Sequence, residues 1–450
     1  MEQNQIAQLI KKYDVPVPRY TSYPTVPDWN TAAFSLEKYK GRAIEAFQNY
    51  GKDGVSLYIH LPYCESLCTY CGCNTRITVN HAVEKPYIDA VLKEWQLYTQ
   101  LFEDRPIIKE IHLGGGTPTF FSPEHLSSLI AGLLQNADLH KDYEFSFEGH
   151  PNNTTYKHLK ALANAGFSRV SFGIQDFDEK VQVAINRRQS FEQVKQVTEW
   201  SRELGYKSVN FDLIYGLPFQ TAASIKNTIE LVERLMPERI AFYSYAHVPW
   251  KRPGQRAYSE ADLPKAADKR DLNKLGTDML LDMGYKMIGM DHFTLNSDSL
   301  YTASLEGKLH RNFMGYTTNP GKLLIGLGVS SISDIDAAYA QNVKTVEGYM
   351  QHIEAGEFAI FKGHLMTEED WLTKAKILLV ACEKHISNAL ISEKVDRRKM
   401  QAMIAEGLLE ESGEGYSVTQ IGSQFLRNIC ALFDPNYQTE RAGKTFSQAV

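Results

Sequence analysis

The run Tyr58-Ile-His-Leu-Pro-Tyr-Cys64-Glu-Ser-Leu-Cys68-Thr-Tyr-Cys71-Gly-Cys73-Asn74 places four cysteines within ten residues. The first three follow the spacing C-x3-C-x2-C, so one short loop can hold three corners of a [4Fe–4S] cube. That count leaves the fourth iron without a protein ligand. An open iron can be chelated by the amino and carboxylate groups of S-adenosylmethionine (SAM), whose sulfonium bond one electron from the cluster then breaks. The alternatives for such a loop are a structural zinc site or a disulfide pair. Zinc sites usually add a second, separated pair of Cys or His ligands. Here the remaining cysteines, Cys382 and Cys430, stand alone in apolar stretches and read as buried small hydrophobes.

Around this loop, extended apolar runs alternate with segments of helical period. The strand candidates are Val55–Leu61, Ile107–Leu113, Tyr143–Glu148, Val170–Ile174, Ser208–Tyr215 and Arg239–Tyr245. Between them Lys85–Phe102, Pro123–Leu134, Thr155–Ala165, Phe191–Leu204 and Ala222–Leu235 read as helices, with Gly166 and Gly205 placed as C-caps. Six strands with five intervening helices imply an α/β fold with a parallel sheet and right-handed crossovers. Six units fall short of an eight-fold barrel, so the expected form is an open, partial (β/α)6 barrel. Chemistry in such folds gathers at the C-terminal strand ends, where the cysteine loop directly follows the first strand.

The expected division is 1–54, 55–362 and 363–450. The first part is a lead-in whose stretch from Pro16 to Thr25 is too polar and proline-broken for a core, so it is expected to cover the barrel mouth. The second is the barrel with its extension, including a helix near Lys265–Met283, a strand at Tyr285–Met290 and an apolar run at Leu323–Ser330. The third is a mostly helical, winged-helix-like domain, and its acidic character speaks against DNA contact. Lysine and arginine number 48 against 54 acidic residues, with no basic block, which excludes a nucleic-acid partner. Six cysteines, four in one loop, do not make a disulfide framework and point to a reducing compartment. With no signal pattern and no apolar run of spanning length, the expected location is the cytoplasm.

Other motifs sit at strand ends. Gly114-Gly-Gly-Thr117-Pro118 lets the backbone approach a ligand without Cβ interference, although a plain tight turn would look alike. Glu148 suits an ammonium or a ribose hydroxyl, against the alternative of a rim salt bridge. Gln175 follows the fourth strand. Asp212 lies inside an apolar strand and needs a partner, for which Arg187 is a candidate. His310-Arg311-Asn312, and Lys251, Arg252 and Arg256, offer cations for a polyanionic substrate, with surface solvation the favoured reading for Lys251 and Arg252. Asp291-His292 is open between a catalytic and a structural role.

In this order the motifs closely resemble the oxygen-independent coproporphyrinogen III oxidases, radical-SAM enzymes of heme biosynthesis. The resemblance runs from Pro18-Arg-Tyr-Thr-Ser-Tyr-Pro-Thr25 to Arg427-Asn-Ile-Cys-Ala-Leu-Phe-Asp434. Between them come the cysteine loop, Asp212-Leu-Ile-Tyr-Gly-Leu-Pro218, Gly289-Met-Asp-His-Phe293 and His310-Arg-Asn-Phe-Met-Gly-Tyr316. The resemblance implies that Cys64, Cys68 and Cys71 bind one [4Fe–4S] cluster and that two SAM molecules lie side by side. Tyr58, Gly115, Glu148 and Ile332 would then touch the cluster-bound SAM. Tyr70, Gly116, Thr117, Gln175, Arg187 and Asp212 would touch the second, with Ala246 near one of them. Cys73 matches a fourth cysteine that is required but is not a ligand. One departure is Glu148-Gly149-His150-Pro151, where the family usually has an acidic residue before the proline.

The implied activity is anaerobic oxidative decarboxylation of two propionates of coproporphyrinogen III to vinyl groups, giving protoporphyrinogen IX. The expected partners are that substrate and an electron-donating reductant such as flavodoxin or ferredoxin, with the chain a monomer. The rivals are a heme chaperone on the same scaffold, which lacks the Cys73-type cysteine and the Arg-Tyr-Thr-Ser-Tyr-Pro lead-in, and an anaerobic heme-opening enzyme.

Overall fold

The computed structural model describes residues 3–391, 395–437 and 446. The chain divides into two compact units, one of 30–283 with 321–366, the other of 1–29, 284–320 and 367–450.

The larger unit is built on parallel strands β1 (Val55–Leu61), β2 (Ile107–Gly115), β3 (Asp138–Gly149), β4 (Phe167–Gln175), β5 (Ser208–Tyr215) and β6 (Arg239–Ser244), hydrogen-bonded in that order. Crossing helices α1 (Glu84–Thr99), α2 (Pro123–Gln135), α3 (Tyr156–Asn164), α4 (Phe191–Glu203) and α5 (Ala222–Glu233) join them. The helix starts are chemically marked. Ser122 accepts from the His125 N–H, and Thr155, Ser190 and Thr221 each form a reciprocal cap with the third helical residue. A short helix, Glu179–Ala184, that periodicity did not single out, fits between β4 and α4.

The apolar run at Leu323–Ser330 supplies a further strand, β7 (Leu324–Leu327), which pairs parallel to the free side of β1 with Tyr58 opposite Gly326. The parallel sheet is therefore one strand wider than expected. Antiparallel strands Ile332–Asp334, Ala338–Asn342 and Ile360–Leu365 continue it outward. The α1 helix is tied to this return by Glu94, which is fully buried. Its carboxylate accepts from the Gly328 N–H (2.7 Å), the Asn342 amide (2.6 Å) and the Tyr349 hydroxyl (2.8 Å). Helix Leu36–Tyr50 belongs here too, with Tyr39 Oη 3.0 Å from Tyr98 Oη of α1.

The two units divide the chain differently from the three expected parts, and in the smaller one much of the lead-in packs into a core. Leu9, Ile10, Tyr13, Val17, Tyr20 and Tyr23 are buried in one core with Ile377, Met400, Phe425 and Ile429. The Tyr20 hydroxyl donates to Asp434 (2.9 Å), the Asn428 amide to the Tyr13 carbonyl (2.9 Å), and Arg427 to the Val17 and Pro18 carbonyls. Val17, Pro18, Tyr20 and Tyr23 to Thr25 are buried, because distant partners satisfy the polar backbone that proline leaves unpaired. The rest of the unit carries helices Glu368–Leu378, Arg397–Ala405 and Leu426–Ala431. A three-stranded sheet runs in the order His385–Ser387, Gly415–Val418, Leu409–Glu411. No helix among the described residues is long and apolar enough to cross a membrane.

Burial lifts the Glu94 carboxyl from the ordinary 4.5 to about 7, so the folded chain holds a proton that the unfolded chain releases. This contribution to stability is full below 4.5 and is lost as pH rises through about 7. Glu94→Gln should flatten that slope. Glu94→Ala strands three donors and should cost about 3 kcal/mol or more. Urea unfolding across this pH range checks both.

Candidate active site at the strand ends

β1 delivers the chain to Pro62, and the loop that follows is held by its own backbone and by its neighbours. Tyr63–Cys64 pairs with Arg76–Ile77, and the Thr78 N–H donates to the Cys64 carbonyl (2.9 Å). The Gly116 and Thr117 N–H groups donate to Leu61 and Tyr63 carbonyls (2.8 and 3.0 Å), locking the glycine turn beneath the loop. On the far side the Thr69 N–H and hydroxyl reach the Ile185 and Ala184 carbonyls, and the Asn186 amide reaches the Leu67 carbonyl (2.8 Å). A loop anchored at so many points can present thiols in fixed directions.

The four thiols face a cavity of about 320 Å³. Tyr70, Gly115, Gly116, Thr117, Glu148, Gln175, Arg187 and Asp212 line it as well, so the structure brings most of the expected site residues into one space. Cys64 Sγ lies 3.3 Å from Thr117 Oγ1, Arg187 Nη1 lies 3.6 Å from Cys68 Sγ, and the Cys73 N–H donates to Cys71 Sγ (3.4 Å). The Cys73 thiol also hydrogen-bonds to Cys71, which with the Arg252 and Arg187 charges brings the Cys71 thiol down to about 6 against the opposing effect of burial. The same bond raises Cys73, and burial pushes Cys64 up to about 11. Among the described residues no three His, Cys, Asp or Glu side chains converge as a single ion requires. The thiols are spread around a shared cavity instead, and Arg187 is at hand to offset thiolate charge, a donor set that fits an iron–sulfur cube.

The three glycines each meet a different wall. A Cβ at Gly114 would stand 3.0 Å from the Tyr58 ring, at Gly115 2.8 Å from the His60 ring, and at Gly116 2.5 Å from the Pro62 carbonyl. Gly115 also has φ +114°, a conformation side chains disfavour. Its N–H donates to Glu148 Oε2 (3.2 Å), while His112 Nε2 is 3.5 Å from Oε1 and His112 Nδ1 is 2.8 Å from Ser146 Oγ. Burial pushes Glu148 up, but the His112 and Gly115 hydrogen bonds prevail and hold its carboxyl below the usual range. Tyr58 does not line the cavity. It stacks on His112 (6.0 Å) and its hydroxyl lies 3.1 Å from His60 Nδ1, so it backs the glycine turn and Glu148.

Arg187 and Asp212 both find partners at the strand ends. Arg187 donates to the Gly173 carbonyl through Nε (3.1 Å) and Nη2 (2.6 Å). Asp212 accepts from the Ser171 hydroxyl (3.0 Å) and the Asn210 amide (2.9 Å). Ser171 and Asn210 face one another across β4 and β5, which brings both to Asp212. A Cβ at Gly173 would stand 2.6 Å from Gln175 Nε2 and 2.8 Å from Arg187 Nη2, so both side-chain ends would have to shift. In the unusual Glu148-Gly149-His150 stretch, burial with a smaller effect of Arg187 pushes the His150 imidazole down to about 2, so it is neutral.

Besides Tyr58, two expected contacts lie outside the cavity lining. The Ala246 carbonyl accepts from Gln255 Nε2 (3.2 Å), and Ile332 opens the strand beside β7, its carbonyl 2.5 Å from where a Gly326 Cβ would stand. In the smaller unit, Asp291 Oδ1 is 2.7 Å from His292 Nδ1, and buried Arg311 donates to Met290 Sδ (2.7 Å) and faces the Tyr316 ring. His60, His112, Asn186 and Gln255 were missed. A polar residue inside an apolar strand run, as at His60, was the available signal.

Replacing Cys64, Cys68 or Cys71 with Ser should remove the iron bound on anaerobic reconstitution. Cys73→Ser should retain it, and iron and sulfide analysis decides.

Residues 58–232 match the Radical SAM superfamily. The oxygen-independent coproporphyrinogen III oxidase of Synechocystis is 36% identical over 458 residues, covering 99% of this chain and 98% of the relative. That of Escherichia coli K12 is 36% identical over 452 residues, covering 98% of each. The solved structure of the Escherichia coli coproporphyrinogen III oxidase, described as a radical SAM enzyme, superposes with a TM-score of 0.88 at 35% identity, over 95% of this chain and 98% of that one. With the cysteine loop, glycine turn and strand-end carboxylates in one cavity and the likeness running nearly end to end, the chain belongs to the oxygen-independent coproporphyrinogen III oxidases.

Proposed function

We propose that this chain carries out anaerobic oxidative decarboxylation of coproporphyrinogen III, turning two propionates into vinyl groups to give protoporphyrinogen IX in heme biosynthesis. The observation that carries the reading is the single cavity shared by the C-x3-C-x2-C thiols and the ligand-binding groups at the ends of β2 to β5. Cys64, Cys68 and Cys71 would hold one [4Fe–4S] cluster. When bound, the cluster and SAM supply a 5′-deoxyadenosyl radical able to take a hydrogen atom from a propionate β-carbon.

The chain's own residues position and charge-match. Glu148, kept ionised, suits the ammonium of a SAM molecule at the cluster, with Tyr58, the Gly115 backbone and Ile332 completing that site. Tyr70, Gly116, Thr117, Gln175, Arg187 and Asp212 would hold a second SAM, the Arg187 and Asp212 charges matching the carboxylate and ammonium of a zwitterion. Ala246 borders the pair. His150, being neutral, adds no charge beside Arg187. Cys73, exposed and outside the ligand triad, is the catalytic thiol of this reading. Each propionate gives up a hydrogen atom, CO2 and one electron. A flavodoxin or ferredoxin would reduce the cluster, and the chain would act as a monomer.

Given reductant, SAM and coproporphyrinogen III without oxygen, the protein should release one CO2 and one 5′-deoxyadenosine per vinyl group formed, because each group requires one abstraction. A β-deuterated propionate should pass its label to 5′-deoxyadenosine. Tight heme binding with unchanged porphyrinogen and no label transfer would instead mark a chaperone.

Equilibrium binding at saturating SAM should count two sites. Asp212→Ala or Arg187→Ala should weaken one of them about tenfold or more while iron content is unchanged. A single site in the unaltered protein would remove the second SAM from this reading.

A further inference from the structure

Gln175, at the end of β4, has φ +67°, a left-handed backbone that a residue with a side chain adopts at a cost. Strain of this kind persists only where the surroundings impose it. Strand pairing does not impose it, since the register with β5 shifts between Gly173 and Gln175. Buried side chains that do not line the thiol cavity impose it instead.

Gln189, 5% exposed, donates through Nε2 to the Ile174 carbonyl (2.6 Å) and the Gly173 carbonyl (3.4 Å). The Gly173 carbonyl is also the one that Arg187 grips through Nε and Nη2. Gln182 closes the link. Its amide donates to the Asp176 and Gln189 carbonyls (2.9 Å each), and its side-chain oxygen accepts from the Gln189 N–H (3.1 Å). The Gln182 carbonyl accepts from the Arg187 N–H (2.9 Å). The strand end bearing Gln175 and the turn bearing Arg187 are thereby fastened as one piece.

Asp176 braces the same strand end from its other side. Wholly buried, it accepts from the Gln220 amide (2.5 Å), the Thr228 hydroxyl of α5 (3.0 Å) and the Asp178 N–H (2.7 Å). Gln220 Nε2 donates to the Ile214 carbonyl of β5 as well (2.7 Å). Buried amides and a carboxylate carry a desolvation cost that apolar packing would avoid. Their arrangement around a strained residue of the candidate site is what precise placement of a ligand contact requires.

We propose that Gln189 is a positioning residue, holding Gln175 and Arg187 together in the geometry that binds the second SAM, with Asp176 as the brace. The proposal rests on the reading of a second SAM site lined by Gln175 and Arg187. Gln189 acts through those two side chains and touches no SAM atom itself.

The test uses reconstituted holoenzyme with SAM as the probe, its two sites resolved by calorimetry. Gln189→Met keeps the length of the side chain and removes its donor. It should weaken the site that Arg187→Ala weakens by about tenfold, leaving the other SAM site and the iron content unchanged. In the Arg187→Ala background the same change should weaken that site by about twofold or less, because its effect passes through Arg187. Thr228→Val, a milder change on the Asp176 side, should weaken the same site about threefold and keeps the proposal testable should Gln189→Met not fold. Unchanged affinity in both variants would overturn the proposal. So would an equal loss at both SAM sites, or fully additive losses in the double variant, since either marks general support of the fold. A single SAM site in the unaltered protein would remove the second-site reading itself, and the proposal with it.

Discussion

The register of the parallel sheet is the constraint on which the site depends. His60 stands opposite Gly114, His112 opposite Ser146, Glu148 opposite Ser171 and Gly173 opposite Asp212. These pairs carry one level of the sheet from the cysteine loop across to Asp212. Because side chains alternate with a period of two, a slip of one residue in any pair would turn its polar group to the opposite face. The hydrogen bonds from Gly115 to Glu148 and from Ser171 to Asp212 exist only in this register. Apolar packing beneath holds it: Ile59, Leu113, Phe147, Val170 and Phe211 are all buried.

Backbone economy explains the shape of the loop above. A turn rich in cysteine has no helix or sheet to satisfy its N–H and C=O groups, so neighbours must do so. The glycine turn, the Glu179–Ala184 helix and the 247–258 segment each contribute, through Thr117, Ala184 and Gln255 respectively. The thiols are thus placed by three pieces of chain distant in sequence. This preorganisation is what an oxygen-sensitive, charged cofactor requires of a protein.

Electrostatics in the cavity are graded. Glu148 is held ionised, His150 is held neutral, and Arg187 lies against Cys68. A site meant for a cationic sulfonium beside an anionic cluster needs both signs of charge at separate places, and the strand ends supply them.

The barrel and its chemistry were legible in the residues because both have short-range signatures. Strands buried on two faces read as apolar runs, and Val55–Leu61 and Ser208–Tyr215 occur within the bounds that this pattern implies. Cluster ligands must share a loop, so their spacing is local as well. What remained hidden depends on partners far along the chain. Pairing of β7 with β1 joins residues more than two hundred positions apart and leaves no periodic trace in either strand. Burial of Tyr20 and Tyr23 is decided by Asp434 and the C-terminal core, so a proline-broken, polar-looking segment became interior. Asp212 meets Ser171 and Asn210 because the strand register brings these groups together. Local composition determined the elements and the candidate ligands; the tertiary fold alone decided who their neighbours are, since only it closes the long loops between them.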